Sequence, residues 1–298
     1  MPSLRCIVAA TDFSDFSERV VQRAAHLARQ HQAELHLLHV VRPLDLYPGM
    51  TFAPDEFGTH DQELLQAEQT RLDAMAATLA SQLGIRVHTA SRLGRAHTEI
   101  ADFAREVSAD LIAAGARGES TLVDLFLGST ASRLLRVATC PVLIVRNPAD
   151  TPYRQVLAAV DFSPVSTSVV AHALLLAGDA PVQTLHVLGS EVEQRMRRAK
   201  SNQVDITGWL AQLRSDAEKQ LDALLAPIEH GAKAGRLVQP GFAPAAICQC
   251  IEDSHADLVV LGRHGHGGGL QNWLLGSVSG DVALAAACDV LVIEPEEQ

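Results

Sequence analysis

Short apolar runs alternate along the chain with longer segments in which apolar residues recur at helical spacing. This alternation is typical of a parallel sheet whose two faces are covered by helices. The predicted strands of the first half are Cys6–Ala10, Glu34–Val41, Ile85–Thr89, Leu111–Ala114 and Val142–Val145. Those of the second half are Gln155–Val160, Val182–Val187, Arg236–Gln239, Leu258–Leu261 and Val290–Ile293. The predicted class is α/β, as two tandem, doubly wound domains of five parallel strands each.

The helical segments show which face of each helix packs on the sheet. The packing positions are Val20, Ala24 and Leu27, then Leu72, Met75 and Leu79, then Ile100, Phe103, Ala104 and Val107, with Leu221, Leu224, Leu225 and Ile228 in the second half. Two polar segments, Pro43–His60 and Gly189–Asp205, break the pattern after a second strand. They are predicted loops, placed where such loops overhang the ligand crevice of an open α/β sheet.

One sequence unit occurs twice. The blocks Ile7–Ser14, Asp110–Gly115 and Cys140–Val145 recur in the same order as Val156–Ser163, Asp257–Gly262 and Cys288–Ile293, at offsets of 147 to 149 positions. Repetition at a nearly constant offset indicates a tandem duplication. We place the domains at 1–147 and 153–298, joined by the polar, proline-bearing stretch 146–152.

Glycines follow the fourth strand of each unit at a recurring spacing. In the first unit Gly115 and Gly118 precede Gly128-Ser129-Thr130 in the pattern G-x2-G-x9-G-[ST]. Glycine lets a backbone approach a bound group closely, and a helix that opens on Ser129 offers hydroxyl and N–H donors to an anion. The pattern predicts a phosphate site.

The second unit repeats the motif with one change. Gly262 and Gly265 precede Gly276 and Ser277, but the intervening stretch is one residue longer and contains the run 267–269 of three glycines. A flexible loop could absorb the extra residue or could equally spoil the phosphate cradle.

Other phosphate motifs are excluded by inspection. A Walker A loop requires a lysine after its glycines, and the lysines, Lys200, Lys219 and Lys233, lie elsewhere. A dinucleotide fingerprint would follow the first strand, where Asp12 and Asp161 stand instead. Each aspartate could accept a hydrogen bond from a purine edge or ribose, or could cap the first helix in competition with the nearby serine.

These residues resemble the universal stress protein family in its tandem form, over essentially the whole chain. The resemblance rests on the strand-Asp-x-Ser opening, the glycine motif and the Cys-x-Val-Leu-x-Val last strand. It implies the adenine nucleotide alpha hydrolase-like fold and, in ATP-binding members, adenine against the first-strand aspartate and phosphates at the glycines; members without the glycine motif do not bind ATP. By position it implies Ala10, Asp12, Val40, Ala114, Gly115, Arg117, Gly118, Gly128, Ser129 and Thr130 in the first unit. In the second it implies Ala159, Asp161, Val187, Leu261, Gly262, His264, Gly265, Gly276, Ser277 and Val278.

The composition and net charge limit which classes of partner are expected. Hydrophobic residues make up 47% of the chain and charged residues 20%, as in compact globular proteins. The net charge of −11 repels nucleic-acid backbones and anionic lipid, so neither is an expected partner. The first apolar run is too short for a signal sequence or a membrane span, which predicts a cytoplasmic protein. The five cysteines form no CxxC pair and are expected to be reduced, mostly buried thiols.

No catalytic residues and no metal ligands emerge from the motif scan. His264 and His266 lie in a glycine-rich loop, which positions ligands poorly, and the basic cluster 195–200 is typical of a solvated surface. We therefore expect a nucleotide-dependent stress-response regulator that binds ATP, alone or with Mg²⁺ or Mn²⁺. The alternatives are a ligand-free scaffold of the same fold and a slow ATPase. The apolar last strands favour pairing of the two domains within one chain as a pseudo-dimer, with a further homodimer and an unidentified protein partner left open.

Overall fold

A computed structural model describes residues 2–43, 54–117, 127–148, 151–189, 207–265 and 275–294, without side chains at 54–60 and 207. The chain divides into two compact units, Ser3–Thr151 and Pro152–Gln298. The predicted domain limits and the pairing of the two domains stay predictions.

The first unit alternates strands and helices. Its elements are β1 (Cys6–Thr11), α1 (Asp15–His31), β2 (Glu34–Val41), α2 (Pro54–Leu83), β3 (Val87–Leu93), α3 (Ala96–Glu106), β4 (Leu111–Gly115), α4 (Ser129–Val137) and β5 (Val142–Val145). The strands are parallel and lie in the order β3-β2-β1-β4-β5.

The second unit repeats this arrangement. Its elements are β6 (Val156–Val160), α5 (Ser166–Ala177), β7 (Val182–Leu188), α6 (Thr207–Leu225), a 3₁₀ turn (Gly231–Lys233), β8 (Gly235–Pro240), α7 (Ala243–Ser254), β9 (Leu258–Gly262), α8 (Ser277–Ala285) and β10 (Asp289–Ile293). Its parallel strands lie in the order β8-β7-β6-β9-β10. The predicted α/β class is confirmed.

The strand order determines where a ligand can bind. From β1 the chain continues to β2 on one side, whereas β4 lies on the other side of β1, and β6 has the same relation to β7 and β9. At such a switch point the loops leave in opposite directions and open a crevice at the carboxyl ends of the strands. Asp12 and Arg117 follow the two central strands of the first unit, and Asp161 and His264 follow those of the second.

The central strands are apolar because helices cover both faces of the sheet. Ile7, Val8 and Ala9 of β1 have no exposed surface, and Ile112 of β4 has none either. Such continuous burial explains why these strands read as unbroken apolar runs rather than as an alternating pattern.

Several sequence predictions were wrong at their boundaries. The predicted loop Pro43–His60 contains the start of α2, which begins at Pro54. Proline is compatible with the first position of a helix, where its missing N–H costs no hydrogen bond. Strand β3 runs to Leu93 rather than to Thr89, since its pairing with β2 continues to Val41. Ile228 lies beyond α6, which ends before Pro227 interrupts the helical hydrogen bonds.

The cysteines are free thiols, but Cys6, Cys140 and Cys248 are only half-buried, so the expectation that most are buried was too strong. Within the residues that the structure describes, no helix combines the length and the apolar character needed to cross a membrane.

Candidate functional site

A tight turn follows β1 and orients the Asp12 carboxylate. Asp12 Oδ1 accepts hydrogen bonds from the Ser14 backbone N–H at 3.1 Å and from the Ser14 hydroxyl at 2.5 Å. Ser14 Oγ in turn accepts from the Ser17 backbone N–H at 3.2 Å and is the N-cap of α1. Of the two capping alternatives, the serine is therefore the cap, and Asp12 closes the turn that precedes it.

The same turn exists in the second unit with different bonding. Asp161 Oδ1 accepts from the Ser163 backbone N–H at 3.0 Å and from its hydroxyl at 2.5 Å. It also lies 3.3 Å from Ser166 Oγ, which donates a third hydrogen bond. The carboxylate of the second unit thus holds the start of its helix as well as its own turn.

Both turns force a phenylalanine into a left-handed backbone conformation. Phe13 has φ of 60° and Phe162 has φ of 65°. A bulky residue rarely adopts this region, and such strain clusters at functional sites. In both units a histidine of the second strand packs against the ring in a tilted arrangement, with centroids 4.7 Å apart for Phe13 and His39 and 4.2 Å apart for Phe162 and His186.

These histidines also anchor the end of the first strand. His39 Nδ1 lies 2.8 Å from the Thr11 carbonyl oxygen, and His186 Nδ1 lies 3.0 Å from that of Val160. A carbonyl oxygen can only accept, so each histidine donates from Nδ1. These histidines belong to none of the motifs described above, although the repeat places both at the same point of the unit.

Glycine is required where the motif approaches neighbouring backbone. The Gly128 N–H donates to the Ala116 carbonyl at 2.7 Å, and a Cβ on Gly128 would lie 3.2 Å from that oxygen. The Gly276 N–H donates to the Arg263 carbonyl at 2.9 Å, and a Cβ there would lie only 2.8 Å from it. These contacts hold the start of each helix against the end of a central strand.

The helices α4 and α8 begin with donors directed out of the helix. Gly128 and Gly276 are the N-cap residues, and neither has a side chain that could cap the helix. The first N–H groups of a helix have no acceptor within it, and the helix dipole adds positive potential there. Ser129 and Ser277 add hydroxyl groups at the same end, so an anion would be favoured at this point.

A cavity of about 310 Å³ lies between these features in the first unit. Every predicted site residue of this unit lines it except Gly118, which lies outside the described residues. The lining residues from the prediction are Ala10, Asp12, Val40, Ala114, Gly115, Arg117, Gly128, Ser129 and Thr130.

The corresponding cavity of the second unit measures about 480 Å³. All of its predicted residues line it, namely Ala159, Asp161, Val187, Leu261, Gly262, His264, Gly265, Gly276, Ser277 and Val278. Gly265 lies so close to the Asp161 carboxylate that a Cβ would collide with Oδ2. Both volumes fall within the range of small-molecule sites.

Sequence reasoning missed one wall of each cavity. Ala96 and Ile100 of α3 line the first cavity, and Ala243 and Ile247 of α7 line the second. Helices α3 and α7 begin after the carboxyl ends of β3 and β8, on the same edge of the sheet. That placement was the available signal, because apolar residues carry no chemical signature of their own.

The whole-chain comparisons agree with the repeat. The family model described as "Universal stress protein family" matches residues 4–146 and again residues 152–294. The chain belongs to the universal stress protein family. It is a tandem member, since the two matches together span both units.

Relatives with the same tandem length support this assignment. A universal stress protein of Mycolicibacterium smegmatis is 28% identical, with 97% of each chain covered. The crystal structure of a universal stress protein from Archaeoglobus fulgidus is 19% identical and covers 98% of this chain and 97% of its own, with a TM-score of 0.63, which shows a shared fold. A shorter chain, a universal stress protein solved in complex with cAMP, matches 48% of this chain and 98% of its own, at 26% identity and a TM-score of 0.35, and it does not bear on the tandem assignment.

Proposed function

We propose that this universal stress protein binds ATP in the cavity of each unit and acts as a nucleotide-dependent regulator of the stress response. One observation carries the proposal. In each unit, the described residues implied by the family resemblance line one cavity, and that lining combines an aspartate carboxylate with the start of a helix whose N-cap is glycine.

The lining of each cavity offers groups that suit different parts of a nucleotide. The carboxylate of Asp12 or Asp161 is an acceptor for an amino group of a base or a ribose hydroxyl. The N–H groups and hydroxyls at the start of α4 or α8 are donors for phosphate oxygens. Apolar residues such as Val40 and Val187 line the same cavities and give a flat base a surface to pack on.

A divalent ion such as Mg²⁺ or Mn²⁺ would neutralise phosphate charge when bound with ATP. This role matters because the chain carries a net charge of −11. The regulatory role follows from linkage, since a ligand that binds one conformation more tightly shifts the population toward it. The cytoplasmic location stays a prediction.

The test is to denature the purified protein and to quantify any released nucleotide by chromatography with mass detection. Two equivalents of adenine nucleotide per chain are expected if both sites bind, and one if the longer second loop spoils its cradle. Asp12→Ala and Asp161→Ala should each remove the equivalent of its own unit, because each deletes the carboxylate acceptor of its cavity.

Asp253→Ala is the matched control, since Asp253 is exposed on α7 away from both turns. It should leave the nucleotide content unchanged. Absence of bound nucleotide, together with no shift of the melting temperature on adding ATP and Mg²⁺, would overturn the proposal and favour a ligand-free scaffold. Unchanged nucleotide content in both aspartate variants would overturn the assignment of these residues.

A further inference from the structure

Three potential metal ligands converge at the amino end of the first sheet. Glu34 and His36 lie on β2, and His88 lies on the neighbouring strand β3. One ligand atom from each lies within 4.8 Å of the other two. We call Glu34, His36 and His88 the amino-edge cluster.

The cluster is a direct result of strand geometry. Side chains two positions apart on a strand point to the same face, which places Glu34 and His36 together. His36 and His88 are register partners in the parallel pair β2–β3, so their side chains are neighbours on that face. The two imidazole rings stack with centroids 4.6 Å apart and an interplanar angle of 24°. A fixed strand register therefore unites residues that are far apart in sequence.

Neighbouring groups hold the ligands in place. Arg86 Nη1 binds Glu34 Oε1 at 2.9 Å, while the other carboxylate oxygen, Oε2, lies 3.7 Å from His88 Nε2. Phe103 of α3 makes an edge contact with the His36 ring at 5.9 Å between centroids. One carboxylate oxygen is thus tied to an arginine while its partner faces the histidines, an arrangement in which outer groups orient a ligand.

We propose that Glu34, His36 and His88 bind a divalent first-row transition metal ion, with Zn²⁺ as the best-matched ion. Two imidazoles and one carboxylate form a ligand set that Zn²⁺ uses when a further position stays open to water. Bonds of about 2.0–2.2 Å place tetrahedral ligand atoms about 3.4 Å apart, so the ligand atoms, which lie within 4.8 Å of one another, must rotate toward the ion. The side chains of Glu34 and His88 are 42% and 51% exposed, so they have room to rotate.

The second unit provides an internal control. Gln183 and Gly235 are the register partners there that correspond to His36 and His88, and Pro181 stands where the first unit has Glu34. None of these three residues offers an imidazole nitrogen or a carboxylate oxygen to a metal ion. The proposal therefore predicts one such site per chain, in the first unit.

The metal site is independent of the proposed nucleotide sites. Glu34 begins β2, whereas the nucleotide cavity lies at the carboxyl end of the same strand, around Val40. Imidazole ligands favour zinc, copper or nickel, while Mg²⁺ prefers oxygen ligands and water. Excess Mg²⁺ should therefore not displace the ion, and ATP should not be required for binding.

The test uses the full chain after a chelator has removed any bound metal. Zn²⁺ is titrated into this protein without nucleotide, and calorimetry measures the binding and the melting temperature. One equivalent of Zn²⁺ per chain is expected, with a rise in melting temperature, because the metal binds only the assembled ligands. The single variants His36→Gln and His88→Ala each remove one ligand, and each should weaken Zn²⁺ binding by at least about tenfold. His88→Ala affects an exposed side chain on an edge strand and should keep the fold even if His36→Gln does not.

His230→Gln is the matched control. His230 Nε2 lies 3.8 Å from Glu229 Oε1, an equivalent histidine–glutamate pair within the described residues that lies outside the amino-edge cluster. This variant should retain the equivalent of Zn²⁺ with unchanged affinity. Substitution with Co²⁺ should give a spectrum without a thiolate charge-transfer band, as expected for nitrogen and oxygen ligands.

Two results would overturn the proposal. The first is an unchanged Zn²⁺ affinity in a folded His88→Ala protein. The second is a thiolate band in the Co²⁺ spectrum, which would assign the bound metal to cysteines. Either result leaves the nucleotide proposal intact, because its test measures bound nucleotide.

Discussion

The two units build the same aspartate turn on different supports, and the difference begins at the residue before the aspartate. In the first unit Thr11 is buried, and its Oγ1 lies 3.0 Å from Ser17 Oγ while it accepts from the Phe13 backbone N–H at 3.0 Å. In the second unit Val160 takes this place, and Ser166, the counterpart of Ser17, bonds to Asp161 instead. Ser17 Oγ also donates to the Ser14 carbonyl oxygen at 2.9 Å, so the first-unit serine joins the strand to the turn, whereas the second-unit serine bonds to the aspartate.

The glycine contacts show a second difference. The cavity of the second unit is larger, about 480 Å³ against about 310 Å³, yet its helix-start glycine has less free space. A Cβ would meet backbone oxygen at 2.8 Å at Gly276 and at 3.2 Å at Gly128. Space for a ligand and space for a side chain are therefore separate properties of the site.

The largest effect is expected from alanine at these two glycines. Gly276→Ala should lower the free energy of unfolding by about 1–3 kcal/mol, because the new methyl group overlaps the Arg263 carbonyl oxygen. It should also abolish nucleotide binding in the second unit. Gly128→Ala should cost clearly less, since a small backbone shift relieves its contact. Calorimetry and nucleotide content measure both effects.

Gly208→Ala is the control, because a Cβ at that helical position meets nothing within 4 Å. It should be neutral or slightly stabilising. Equal losses at Gly276 and Gly128 would show that the steric difference between the units has no energetic consequence.

The next effect concerns the threonine-to-valine difference. Thr11→Val should destabilise the first unit by about 1–3 kcal/mol, since it removes the acceptor of the Phe13 N–H and the hydroxyl partner of Ser17. Val160→Thr should change stability by no more than about 1 kcal/mol, because Ser166 already has a partner. Thermal unfolding of both variants checks this asymmetry, and a neutral Thr11→Val would contradict the assigned role of the hydroxyl.

A smaller effect is expected from exchanging Arg117 and His264. Arg117 and His264 line the two cavities at corresponding places. Because arginine is always charged and can donate in pairs to phosphate, His264→Arg should tighten ATP binding in the second unit by about threefold to tenfold. Arg117→His should have the opposite effect in the first unit, and AMP should show a weaker response in both. Calorimetric titration with ATP and AMP measures these changes; equal responses to the two nucleotides would place the cation away from the terminal phosphates.

The smallest expected effect is a pH dependence of stability that arises in the first unit. His31 ends α1 one turn beyond the point where α5 ends, and burial lowers the pKa of His31. Its neutral form therefore stabilises the fold above the ordinary histidine pKa, and this contribution is lost as the pH falls through the lowered value. His31→Gln should flatten part of the decline in melting temperature between about pH 7 and pH 5.

Residues with a chemical signature were predictable from the sequence. The spacing of Gly115 and Gly128, and its repetition at Gly262 and Gly276, identified residues that the structure brings to one cavity in each unit. The central strands, such as β4 and β9, were predictable because they are buried on both faces. The role of the glycine-motif residues in binding stays a prediction.

Residues that depend on register or on apolar contact were not predictable. Ile100 and Ile247 look like ordinary core positions, and only the packing of α3 and α7 shows that they line a cavity. His36 and His88 become neighbours only through the pairing of β2 with β3. Register is specified by a buried apolar face, but β3 is an edge strand with polar residues on both faces. Its sequence therefore does not predict which residue of β2 lies opposite His88.

One face of β2 carries both Glu34 at its start and Val40 at its end, separated by six residue steps, or about 20 Å. Substitutions separated by more than about 10 Å without shared partners usually have additive effects. Over evolutionary time the two ends of this strand are therefore free to diverge separately. The two units differ in this way, since Pro181 and Gln183 stand where the first unit has Glu34 and His36, whereas a valine lines the cavity at the other end of the strand in both.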